Sequence, residues 1–124
     1  MSGKRVLSIG QCQADHGSIS RLLQSHFAPE IHRAEDARQA LDQMRGESFS
    51  LVLVNRVFDA NGDSGQDFIR QVKGDPALRD IPIMLISNFP EAQEEASRSG
   101  AIPGFGKDAL HRPSTVDLLR PYLS

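Results

Sequence analysis

With 124 residues, 39% of them hydrophobic and 24% charged, the chain has room for one domain with a real core and not for a second. A formal net charge of −2 and a pI near 6.0 give no electrostatic ground for binding nucleic acid or a membrane. Cys12 is the only cysteine, which excludes an intramolecular disulfide and suits a reducing cytoplasm. No apolar run approaches the roughly 20 residues that cross a bilayer, and the run at 6–9 is too short for a signal-peptide core.

In chain order, residues 6–9 (Val-Leu-Ser-Ile) predict a strand that ends in Gly10-Gln11-Cys12. A start signal at 15–18 precedes Ile19, Leu22, Leu23 and Phe27 at helix spacing. Residues 31–34 predict a weaker strand nearer an edge. Ala37, Ala40, Leu41 and Met44 then repeat the helical pattern after Asp36. The run at 51–54 (Leu-Val-Leu-Val) suits a parallel strand covered on both faces, and it delivers Asn55 at its carboxyl end. An Asp/Asn/Gly loop leads to a helix carrying Phe68, Ile69 and Val72, stopped at Lys73-Gly74-Asp75-Pro76. Residues 83–86 predict the fourth strand, and Pro90 suits the first position of a helix running to Gly100. The fifth strand, 101–105, is weakened by Pro103 and Gly104. Ser114 is the expected N-cap of the last helix, with Asp117 three residues on, and Pro121 should kink or shorten it.

Five β-α units in succession predict a doubly wound α/β fold, with a parallel sheet between two helical layers. Ligands and chemistry in such folds sit at the carboxyl ends of the strands. There the sequence offers Gly10-Gln11-Cys12, Asn55-Arg56, Ser87-Asn88 and Gly106-Lys107-Asp108.

The segments RVLSIG, LVLVN, IPIMLIS and GAIPGFGK, in this order and spacing, resemble the receiver domain of two-component response regulators over nearly the whole chain, 1–124. The resemblance implies the flavodoxin-like sheet order 2-1-3-4-5. It also implies a signalling role rather than an enzymatic one. In that family the first strand ends in an acid pair that holds Mg²⁺, and the third ends in the phosphoacceptor Asp. The fourth ends in Thr or Ser, and the fifth in Lys followed by Pro. On this pattern Gly10 and Gln11 replace the acids, Asn55 replaces the phosphoacceptor, Ser87 and Lys107 match, and Asp108 replaces the Pro. Cys12, Arg56, Asp59 and Asp108 would form the pocket rim. The loop after Asn55 runs about two residues longer than the family's helix register leads one to expect. Gly104 or Phe105 stands in the region of the family's aromatic switch residue.

Transfer of a phosphoryl group to a carboxylate needs an anionic oxygen for attack and a metal to neutralise the phosphoryl oxygens. An amide oxygen is a poor nucleophile, Gly10 supplies no ligand, and Gln11 supplies only a neutral one. The pocket is therefore expected to be a degenerate one that takes no aspartyl phosphate, no metal and no cofactor. Its expected partner is a protein, either a signalling protein or an attached output domain. By the family's habit that contact would use Gln93, Ser97, Phe105, His111 and Tyr122. Chain length suits a stand-alone domain or part of a longer regulator, and the oligomeric state is open. Lys107 is expected to bond to carbonyl oxygens or to the Asn55 side chain, and Ser87 to cap the helix near Pro90. Asn55→Asp alone is not expected to restore phosphorylation, whereas adding Asp at positions 10 and 11 opens that route.

Other motifs fail on inspection. The run from Asp59 to Asp67 begins like a calcium loop, but Ser64 stands where Gly is needed and Arg70 where Glu is needed. GAIPGFGKDA lacks the first Gly and the final Ser or Thr of a phosphate loop. A dinucleotide fingerprint at 104–109 would place its acidic ribose partner at or beyond the chain end. Cys12 and His16 lack an orienting third group, and His26, His32 and His111 read as surface residues without metal-ligand spacing. Two alternatives remain: a small nucleotide- or flavin-binding α/β protein or enzyme of the same topology, and phosphorylation moved to Asp59 or Asp63.

Overall fold

The computed structural model describes residues 3–124. Five parallel strands form one sheet in the order β2-β1-β3-β4-β5. They are β1 (Arg5–Ile9), β2 (Glu30–Ala34), β3 (Leu51–Asn55), β4 (Ile83–Ile86) and β5 (Ile102–Phe105). The helices are α1 (Gln13–His26), α2 (Ala37–Gly46), α3 (Gly65–Lys73), α4 (Pro90–Arg98) and α5 (Pro113–Leu123). A 3₁₀ turn, Lys107–Ala109, precedes α5.

The sheet is apolar on both faces, as parallel strands between helices must be. Leu7, Ile9, Val52, Val54, Ile83 and Leu85 pack on one side against Ala40 and Met44 of α2, Phe68 and Ile69 of α3, and Ala96 of α4. Val6, Leu51, Leu53, Met84 and Ile86 pack on the other against Ile19 and Leu23 of α1 and Leu119 and Leu123 of α5. The central strands are buried apart from Arg5 and Asn55 at their ends, while the edge strand β2 exposes Glu30 and Arg33. At the other edge Pro103 and Gly104 do not end β5; a register irregularity between Met84 and Ile86 absorbs them.

The chain-order expectations hold for every strand and helix, and the differences lie at the caps. α1 starts earlier than the signal at 15–18 suggests. Cys12 is its N-cap, and the sulfur accepts from the Asp15 N–H. α5 starts at Pro113 with Arg112 as N-cap, so Ser114 lies inside the helix and caps nothing. Proline at the first helical turn needs no donor, which makes the earlier start the cheaper one. Pro121 neither ends nor shortens α5, which runs on to Leu123. Ser87 is not the cap of α4 either: Phe89 is, without a side-chain bond, and the Ser87 hydroxyl accepts from the Phe89 N–H at 3.1 Å. His32 is no free surface residue. It lies edge-on to Phe49 between Glu30, at 2.9 Å, and Glu47, at 3.3 Å.

Two other helices have side-chain caps: Asp36 accepts from the Gln39 N–H, and Ser64 from the Asp67 N–H. Asp36→Ala should cost about 1 kcal/mol in urea unfolding, and Ser114→Ala should stay within about 0.5 kcal/mol of the parent.

Candidate functional site

β3 ends at Asn55 on the carboxyl edge of the sheet, flanked by the ends of β1 and β4. Its carboxamide is fully engaged. Nδ2 donates to the carbonyl oxygens of Gly10, at 2.9 Å, and Val57, at 2.7 Å. Oδ1 accepts from Lys107 Nζ at 3.4 Å. Only an amide satisfies all three, because it carries donor and acceptor on one planar group. A carboxylate here would face two carbonyl oxygens with no proton to share.

Lys107 has a second partner. Its ammonium lies 2.7 Å from Asp15 Oδ2, and the same oxygen accepts from Cys12 Sγ at 3.2 Å. The bond from Lys107 is the main cause that holds the Asp15 carboxyl below the usual aspartate range; the thiol adds to it, and partial burial opposes both. Asp15, which the sequence reading did not assign to the pocket, reaches Lys107 from the first turn of α1. The sequence signal was available, since Asp15 is the acid in the first turn of α1.

The end of β1 is closed by packing. Gly10 has φ +74°, and a Cβ built on it would lie 2.8 Å from Phe58 Cγ. Phe58 is 1% exposed and meets Phe68 edge-on. Its own backbone is tied down, with its N–H bonded to the Asp63 carbonyl. The Asp59 N–H also donates to the Gly10 carbonyl, at 2.9 Å. An acid at position 10 thus meets an aromatic ring and a left-handed backbone that L side chains rarely adopt. Adding Asp at position 10 on the way to a metal pocket therefore meets a steric obstacle. The donors present do not fit Mg²⁺: the two nearby carbonyls are taken by Asn55, and the Asp15 oxygen by Lys107.

The rim differs in part from what was expected. A hollow of about 250 Å³ is lined by Asn55, Arg56, Ser87, Phe89 and Lys107, among others, but not by Gly10, Cys12, Asp59 or Asp108. Arg56 stacks over the Phe89 ring at 4.9 Å. Asp108 joins through its backbone, donating to Asn88 Oδ1 at 3.1 Å. Gln11 is buried with both side-chain amide atoms unpartnered, and its carbonyl accepts from Arg33 at 3.2 Å. The side-chain hydrogen bonds of Cys12 run to Asp15 and not to the imidazole of His16, whose ionisation is disfavoured by burial and then by Arg33.

The five residues expected to form a partner face are not brought together. Phe105 is 6% exposed and belongs to the core, and Tyr122 packs against the same cluster. Gln93 is committed internally, donating to the Leu85 and Ser87 carbonyls and accepting from the Gly104 N–H. It lines a shallow hollow with Ser97 on α4. His111 lies instead in a groove between α1 and α5. The loop at 59–65 is a closed turn: Asn61 Oδ1 accepts from the Asp63 N–H, and Ser64 then caps α3.

Asn55→Asp, which sets a carboxylate against two carbonyls, should lower stability by about 1–3 kcal/mol in urea unfolding at neutral pH. Gly10→Asp should cost about 1–3 kcal/mol or more through overpacking against Phe58. With Asp at 10, 11 and 55 together, calorimetric titration should find no Mn²⁺ binding, and saturable binding would overturn the closed-pocket geometry. The Asp15–Lys107 pair carries a pH signature. Because the folded-state pKa of Asp15 is lowered, its stabilisation is complete above the ordinary aspartate range and is lost as pH falls through the lowered value. The stability difference between parent and Asp15→Asn should follow that course.

No protein-family model matches the chain, and no curated protein matches it in sequence. Its fold has many counterparts among solved structures. The signal receiver domain of a DNA-binding response regulator protein (merR) from Colwellia psychrerythraea superposes with a TM-score of 0.80, at 18% identity over 95% of this chain and 96% of that one. The phosphorylated cyanobacterial phytochrome response regulator RcpA gives 0.75, at 18% identity over 98% and 94%. The Vibrio cholerae chemotaxis protein CheY4 gives 0.69, at 21% identity over 95% and 93%. With these TM-scores and near-complete mutual coverage, the fold is that of the response-regulator receiver domain.

Proposed function

We propose that this domain is a receiver-like signalling module that is not phosphorylated at its third strand and acts by binding a protein partner. The observation that carries this reading is the occupation of the pocket from within. The Asn55 amide satisfies two carbonyls, and the Lys107 cation is neutralised by Asp15. A phosphoryl group arriving there would find no nucleophile, no metal donors and no free counter-charge. The partner is a signalling protein or an output domain, and the setting is the cytoplasm, in keeping with a single unpaired cysteine. Among the described residues no helix is long and apolar enough to cross a membrane.

The competing reading, a nucleotide- or flavin-binding protein or enzyme, needs a phosphate-cradling loop after β1. Phe58 fills the space beside Gly10, and Cys12 spends its side chain on capping α1. Phosphorylation moved to Asp59 or Asp63 has nothing beside it to supply the metal. Among the described residues, no three His, Cys, Asp or Glu side chains gather to hold one.

Incubation with acetyl phosphate and Mg²⁺, followed by intact-mass measurement, should leave the mass unchanged. A stoichiometric gain of one phosphoryl group would sink the proposal, and peptide mapping would then tell Asp15 from the loop acids.

A further inference from the structure

The face made by α1 and α5 carries a groove of about 700 Å³. Its floor is apolar, with Leu110 buried and Leu22 and Val116 half-buried. Its rim is basic: Arg21 comes from α1, Arg112 from the N-cap of α5 and Arg120 from within α5. Asp117 is the one carboxylate along it. Arg120 approaches Asp117 at 3.4 Å, and Arg21 donates to the Ser18 hydroxyl at 3.2 Å. Among the described residues the Arg112 guanidinium has no partner.

The charge bias is written into the chain. Residues 16–29 contain no Asp or Glu, and after Asp108 the only one is Asp117. A protein of net charge −2 thus reverses its sign locally, with three arginines against one carboxylate. Arginine is the cation best shaped to pair with carboxylates, through its planar fork of donors.

We propose that this groove docks an amphipathic segment of a partner protein, with aliphatic side chains on the floor and carboxylates against the arginine rim. The apolar floor supplies affinity, while the arginines select the sign of the partner and fix its register. A membrane surface is the poorer match, because the apolar side chains are sunk below the charged rim instead of standing proud of it. The two exposed large apolar residues, Val57 and Phe89, line hollows elsewhere, beside Arg56. This inference rests on the domain being a protein-binding module and names the chemistry of one partner.

The test uses the full chain and a fluorescein-labelled helical peptide with Leu at i, i+3, i+4 and i+7 and Glu at the remaining positions, titrated by anisotropy. Saturable binding is expected, weakened by salt. Binding should fall by about tenfold or more in Arg21→Glu/Arg112→Glu, where like charges meet. It should be unchanged in Arg38→Glu on α2, on the other side of the sheet. In amide correlation spectra of the unmutated protein, the shifts on adding peptide should gather on α1 and α5. That measurement stands even if the double variant folds poorly. Four results would overturn the inference: no binding, equal binding of the peptide with every Glu changed to Lys, shifts centred on another face, or sedimentation with phosphatidylglycerol vesicles in place of peptide binding. The acetyl phosphate experiment is independent, so a peptide that does not bind removes the groove as a docking site and leaves the phosphorylation reading where it stands.

Discussion

The carboxamide of Asn55 is the joint on which the carboxyl edge of the sheet depends. From the end of β3 it holds the Gly10 carbonyl just past β1, the carbonyl of the loop before α3, and the lysine that follows β5. Carbonyls just past a strand end lack ladder partners, and a buried acceptor left unpaired is costly; the Gly10 carbonyl has the Asp59 N–H as its other donor. An amide resolves this internally. A carboxylate would need a cation to sit beside the same carbonyls, and Asn55 removes that need. It also presents no anionic oxygen at this position, which is the ground for the proposed lack of phosphorylation there.

Around that joint the pocket is closed by two further constraints of different kinds. One is steric: the Phe58 ring occupies the space that a side chain at position 10 would require, and Gly10 adopts a backbone conformation suited to glycine. The other is electrostatic: Asp15 neutralises Lys107 across a 2.7 Å contact. Loss of acidic residues alone would describe a receiver pocket with parts missing. Here the space and the charge have been taken over by other residues, so the pocket is a packed structural unit. On the proposed reading a signal enters at another surface, and the α1–α5 groove is one where an apolar floor and a charge bias coincide.

Much of the fold was legible because its signals are local. The apolar runs at 51–54 and 83–86 mark buried parallel strands without reference to anything else, and the observed β4 matches the second of them residue for residue. Asp36 and Ser64 cap their helices by the same local logic, a short polar side chain preceding a helical period. The caps that were missed show the limit of that logic. A cysteine sulfur is a weak acceptor, so Cys12 does not announce an N-cap. Ser114 does announce one, yet proline at position 113 had already opened the helix. Phe105 was placed on a partner face by the family's habit of contact there, but the sheet edge turns its ring into the core.

By itself the sequence determined the β-α alternation, and with it the three-layer architecture, together with the absence of a carboxylate at positions 10, 11 and 55. These follow from periodicity and residue type, which act over a few neighbours. What occupies the emptied pocket was decided only by the tertiary structure. Lys107 and Asn55 are 52 residues apart in the chain, and the Phe58 ring reaches Gly10 only once β1 and β3 lie side by side. Contacts of that kind depend on sheet register and on where a helix begins, and neither leaves a periodic trace along the chain.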